Sequence, residues 1–178
     1  KLYNALNNSH YTNPDDLIIT TIDDVVYMGM KNDLSFIISN MMNLYEHQST
    51  FSPNLPLRGL FYLASLYRTY VDSFKNKLYT ETAVSLPYPQ YIVFYNGTID
   101  EPERQELKLS SLYKKPIQNC TPALECTAVV LNINLGHNHE LMEQCNTLKE
   151  YATFIDTIRL HIANGESFET AIESSVDE

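Results

Sequence analysis

Asp33, Glu46 and Gln48 are the residues of this chain whose types and spacing could do chemistry. Asp33 opens the apolar run that begins at Leu34, and Glu46 and Gln48 close the next run, in the stretch Tyr45-Glu46-His47-Gln48-Ser49-Thr50. Side chains two residues apart on an extended strand share a face, so Glu46 and Gln48 project together while His47 points the other way. If the two runs are antiparallel neighbours, Asp33 approaches the same spot from the side. Two carboxylates meeting there make a hard oxygen site suited to Mg²⁺ or Mn²⁺, with water and substrate phosphate completing the shell. An ion so held activates a water and neutralises charge on a scissile phosphate. The plainer alternative is that Asp33 caps a turn, for which Asp is well suited, and that Glu46 lies on a half-exposed strand. Against it, a Glu and a Gln on one face of a strand beside Leu44 is poor patterning for a core.

Three cations stand near these residues in sequence. Lys31, two positions before Asp33, either supplies positive charge to the site or is a solvated turn lysine. Arg58, expected in the first turn of a following helix, either contacts a phosphate, pairs with a site carboxylate, or is one more solvated arginine. Arg68 is expected to face solvent.

The elements that must position these side chains follow from hydrophobic periodicity. Leu2, Tyr3 and Leu6 recur at helical spacing and Asn7-Asn8-Ser9 ends that helix. The stretch from Asn13 to Asp24 reads as a loop with a short extended piece. Three β-rich runs follow between Val25 and Gln48, separated by turns at Lys31-Asn32 and Asn40-Met41, and make an antiparallel meander. A helix is expected from Leu57 to Phe74, with Leu57, Leu60, Phe61, Ala64, Val71 and Phe74 inward. Strands follow at Tyr91 to Gly97 and Leu124 to Leu135. A long helix from His139 to Ala163 turns Leu141, Leu148, Tyr151, Phe154, Ile155 and Ile158 to the core, and a last helix follows Asn164-Gly165. The order implies one α/β domain over residues 1–178, with its first and last helices cut by the ends of the sequence.

Composition narrows the function classes. With 178 residues and 44% hydrophobic positions, the chain can bury one sizeable core. Three cysteines, Cys120, Cys126 and Cys145, are too few and too unevenly spaced for a disulfide framework, which points to reduced thiols and a cytoplasmic setting. The formal net charge of −10, with 12 Lys and Arg, offers no basic run for a nucleic-acid backbone. No stretch approaches the roughly 20 apolar residues of a membrane span. His137, His139 and Glu143 could nominally ligate zinc, but no second ligand cluster matches them and a polar helix entry explains them. Cys120 and Cys126 lack CxxC spacing and read as buried thiols. No nucleotide-binding glycine pattern or nucleophile elbow is present.

Around the acidic residues the phrases Met28-Gly29-Met30-Lys31-Asn32-Asp33-Leu34, then Leu44-Tyr45-Glu46-His47-Gln48-Ser49-Thr50 running on to Pro56-Leu57-Arg58-Gly59, and then Tyr91-Ile92-Val93-Phe94-Tyr95-Asn96-Gly97 occur in that order. In these phrases the chain resembles the PD-(D/E)XK nuclease superfamily, and more closely its branch of recombination-promoting nucleases and transposases. The resemblance covers most of the chain. It implies a restriction-endonuclease-like core: a helix, an antiparallel three-strand meander bearing the acids, a helix and further strand in a mixed sheet. It implies Mg²⁺-dependent hydrolysis of DNA, with Asp33 and Glu46 on the metal-binding positions; the residues beside them add the expectations of Gln48 as the water-positioning catalytic residue and Arg58 or Lys31 toward a DNA phosphate, and a homo-oligomer is a further expectation. Gln48 stands where the superfamily usually has lysine, and an amide orients water but is no base. The superfamily's first helix often adds an acid, which here would precede Lys1, so residues 1–178 alone are expected to cleave little. A nuclease-fold docking or interaction module without catalysis is the competing expectation.

Overall fold

A computed structural model of the chain describes residues 1–21, 33–72, 74, 77–115 and 120–177. The run from Val25 to Met30, expected as the first strand of the meander, and Lys31 lie outside the described residues.

The two apolar runs around the acids form a hairpin. Leu34–Ile38 (β2) pairs antiparallel with Met41–Gln48 (β3), from Leu34 opposite Tyr45 to Ile38 opposite Met41. Ser39, at φ 52°, supplies the left-handed backbone that a two-residue hairpin loop demands, and its hydroxyl is 2.6 Å from that of Tyr11. Leu17–Ile19 (β1), the short extended piece expected within a loop, pairs antiparallel with the outer edge of β2.

Beyond the hairpin the chain crosses over. Leu55–Asp72 (α2) leads to Tyr88–Tyr95 (β4), which lies parallel to β3 from Met41 beside Tyr88 to Gln48 beside Tyr95. A parallel pair needs such a crossover, because no tight turn can return the chain to the starting end. Thr127–Asn132 (β6) runs parallel to β4 on its far side, and Arg104–Lys108 (β5) pairs antiparallel with β6. The result is a six-stranded mixed sheet in the order β1-β2-β3-β4-β6-β5.

Helices cover both faces. On one face α2 places Leu55 and Tyr62 on Leu44, Tyr91, Val93, Tyr95, Ala128 and Val130. On the other, Leu2–Asn7 (α1), His139–Gln144 (α3) and Asn146–Ala163 (α4) set Leu6, Met142 and Ala152 against Phe36, Tyr45, Ile92, Phe94 and Leu131. Phe168–Asp177 (α5) packs on α4. The continuous apolar run of β4 is thus explained: its alternate residues are buried against opposite layers.

Three expectations are corrected. The inward stripe of α2 is Leu55, Gly59, Tyr62 and Leu66, while Leu57, Phe61 and Ala64 are exposed. A periodicity count favours Phe61 over a glycine, yet it is Gly59 that lets the helix settle on the Tyr91 ring, which a Cβ at that position would overlap. The long helix from His139 is broken at Cys145, whose φ −130° and ψ 82° leave the helical region, so α3 and α4 present Met142 and Ala152 separately to the sheet. Cys120 is exposed; Cys126 and Cys145 are the buried thiols.

Gly59 gives a direct test of the packing. In an open helix Gly→Ala gains up to about 1 kcal/mol, but here the methyl must displace a buried ring. Gly59→Ala should therefore lose about 1–3 kcal/mol, read as a lowered midpoint in denaturant titration. A gain in stability would show that the helix and Tyr91 are not in close contact.

Candidate functional site

Glu46 sits near the C-terminal end of β3 on the face covered by α2, and is 2% exposed. A carboxylate this far from water demands partners, and it has two. The first turn of α2 carries Arg58 over it, and Arg58 Nη2 donates to Glu46 Oε1 at 3.2 Å. From the next strand Tyr91 Oη donates to Glu46 Oε2 at 2.5 Å. The parallel register explains the second contact: Leu44 lies beside Tyr91 and Glu46 beside Val93, so Tyr91 points to the same face one step back along the neighbouring strand.

These surroundings set the electrostatics. Burial pushes the Glu46 carboxyl above its ordinary range; the Tyr91 hydrogen bond and the Arg58 charge pull it back only in part, and the charge of Asp33 adds to the rise. Burial works to lower the Arg58 pKa, yet the facing Glu46 carboxylate leads a set of neighbours that hold it above its usual value. Tyr91 is pushed up by burial first and by Glu46 second, so it stays a phenol and a donor.

Asp33 immediately precedes β2. Continuing the register one step beyond Leu34 and Tyr45 sets it across from Glu46 on the same face. Its side chain is exposed, and Oδ2 accepts from the backbone N–H of His47 at 2.6 Å, which ties the entry of β2 to the exit of β3. Gln48 is half-buried and shares the Glu46 face by strand alternation; its carbonyl accepts from the Asn96 N–H at 3.0 Å. His47 turns to the opposite face, where Nε2 lies 3.1 Å from Tyr151 Oη. Arg58 therefore pairs with a site carboxylate, the second of its three expected roles. Lys31 lies outside the described residues.

The donor set fits a hard divalent cation. Among the described residues no group of three or more His, Cys, Asp or Glu side chains is arranged to hold a metal, and His137, His139 and Glu143 are no exception. A cation at Asp33 and Glu46 would thus draw on two carboxylates, with the Gln48 amide oxygen on the same face, and on water for the rest. That is the ligation Mg²⁺ accepts and structural zinc does not. Each Glu46 oxygen accepts one hydrogen bond and keeps a second lone pair. The Cys126 thiol, pushed to about 11 by burial and then by the Glu125 charge, is no nucleophile.

Tyr91 is the site residue that sequence reasoning missed. A tyrosine inside an apolar strand reads as core, and only the parallel register with β3 brings its hydroxyl to Glu46. A glycine mid-helix at Gly59, a mark of close approach, was the available signal.

Compared with family models, curated proteins and solved structures, the chain matches none of them. Among the described residues no helix is long and apolar enough to cross a membrane.

The raised Glu46 carboxyl makes stability depend on pH. Its folded-state pKa lies above the unfolded value, so between the two the folded state holds more protons. Stability is accordingly fullest below the ordinary carboxylate value and falls as pH rises through the folded one. Glu46→Gln cannot ionise and should flatten that segment of a pH series of thermal melts; an unchanged slope would mean that Glu46 titrates as it does in the unfolded chain.

Proposed function

We propose that the chain is a Mg²⁺-dependent, DNA-hydrolysing domain with a restriction-endonuclease-like core, in which Asp33 and Glu46 hold the cation and Gln48 and Arg58 serve the reaction. The observation that carries this reading is a carboxylate buried at the end of an inner strand, with a second carboxylate across from it and an amide on the same face. The resemblance implies a helix, a three-strand meander bearing the acids, a helix and further strand; the hairpin of β2 and β3 followed by α2 and then β4 is in keeping with the latter part of that order.

When bound, Mg²⁺ would lower the pKa of a bound water and neutralise charge on the scissile phosphate. The remaining roles belong to the chain. Gln48 orients the attacking water by hydrogen bonding, carrying neither charge nor a basic site. Arg58, 37% exposed at its side chain, can exchange Glu46 Oε1 for a phosphate oxygen and steady its charge. Asp33 is held toward the site by the His47 N–H.

One observation favours a second reading, a nuclease-fold module that docks DNA or a protein without cutting: both Glu46 oxygens already have partners in Arg58 and Tyr91. Titration of Mg²⁺ and Mn²⁺ with plasmid nicking as readout, on the longest form of the protein that carries these residues, separates the two. Metal-dependent nicking supports the nuclease; cation binding through Glu46 with no nicking selects the silent module.

A further inference from the structure

The two oxygens of Glu46 are held from different sides. Oε2 accepts from Tyr91, which is 3% exposed and whose ring lies under Gly59 of α2. Oε1 accepts from Arg58, whose side chain is 37% exposed and is also hydrogen-bonded to Tyr62. The Tyr91 ring, by contrast, is packed in the core layer between α2 and the sheet.

We infer that Tyr91 is a positioning residue for Glu46, anchoring the carboxylate by Oε2 so that Oε1 is the oxygen presented to a divalent cation. This deepens the metal-site reading and rests on it. Arg58 covers Oε1 until the cation displaces it, and the anchored oxygen keeps the carboxylate from following the arginine outward. Hydrogen-bonded partners behind a ligating carboxylate commonly set affinity in this way.

Mn²⁺ affinity, measured by calorimetry or by electron paramagnetic resonance on the folded chain, tests the inference without reference to cleavage. Tyr91→Phe keeps the ring against Gly59 and removes only the hydroxyl; it should weaken Mn²⁺ binding by about 10–100-fold. Tyr95→Phe is the control, because Tyr95 is also buried on this face but gives its hydroxyl to the Ile99 carbonyl at 3.0 Å; its binding should stay at the wild-type level. In a Glu46→Gln background Tyr91→Phe should cause no further loss. Wild-type affinity in Tyr91→Phe, or an equal loss in Tyr95→Phe, would overturn the role of Tyr91 while leaving Glu46 as a ligand. Absence of Mn²⁺ binding to the wild type, or undiminished binding to Glu46→Gln, would remove the metal site itself and this inference with it. Should Tyr91→Phe fail to fold, the same proteins are compared in an osmolyte that restores the compact state.

Discussion

Replacing Glu46 should abolish the proposed metal-dependent cleavage, with a loss on the order of 10³-fold or more, because in that reading the residue both holds the cation and fixes where it sits. Two substitutions separate chemistry from folding. Glu46→Ala removes the acceptor from a buried tyrosine and from Arg58 together, so it also loses about 1–3 kcal/mol of stability through the unpaired groups. Glu46→Gln keeps the shape, accepts through its single amide oxygen from only one of the two donors, and cannot supply an anionic ligand. Equal loss of nicking in the two variants, with the larger stability loss in Ala, is the result expected of a ligand. Nicking retained in Glu46→Gln would mean that the carboxylate serves the fold and the catalytic cation sits elsewhere.

The second large effect concerns Gln48. Gln48→Ala should lower cleavage on the order of 10²-fold if its amide positions the attacking water. Gln48→Lys restores the residue that the resembled superfamily usually carries and brings a positive charge beside the developing phosphorane, where a preorganised donor is worth a few kcal/mol. It should keep or raise activity and alter the Mg²⁺ requirement little, since Asp33 and Glu46 are untouched. Gln48 is half-buried at the strand exit, and its backbone carbonyl is bonded to Asn96, so either side chain is accommodated without breaking the sheet. Rates equal within a few-fold for all three proteins would confine the mechanism to the carboxylates and make Gln48 an ordinary strand-end residue.

The parts of the fold legible in the sequence are those whose burial is one-sided or complete. β2, β3 and β4 are apolar runs with punctuation at their ends, and the shared face of Glu46 and Gln48 follows from strand alternation alone. β5 was not legible: Arg104-Gln105-Glu106-Leu107-Lys108 is an edge strand with little to bury, and it forms because β6 offers it a hydrogen-bonding ladder. The rotation of α2 departs from what a hydrophobic count gives, because Gly59 faces inward by virtue of having no side chain. For the site, the acids were visible as a spacing on neighbouring strands. Tyr91 was invisible, since parallel strands separated by a crossover helix carry no local signal of their register.

The place of Glu46 in the sheet has a consequence for how the protein breathes. β3 is paired on both edges, with β2 and with β4, and is roofed by α2. Its amides should therefore be among the slowest of the described residues to exchange with solvent deuterium. A carboxylate mounted there rides on a strand held along both edges, and if the site takes a cation as proposed, the group that must move is the long side chain of Arg58. Approach and release at the proposed site would then need only a side-chain rotation, on the nanosecond scale, with no opening of the strand that bears the carboxylate.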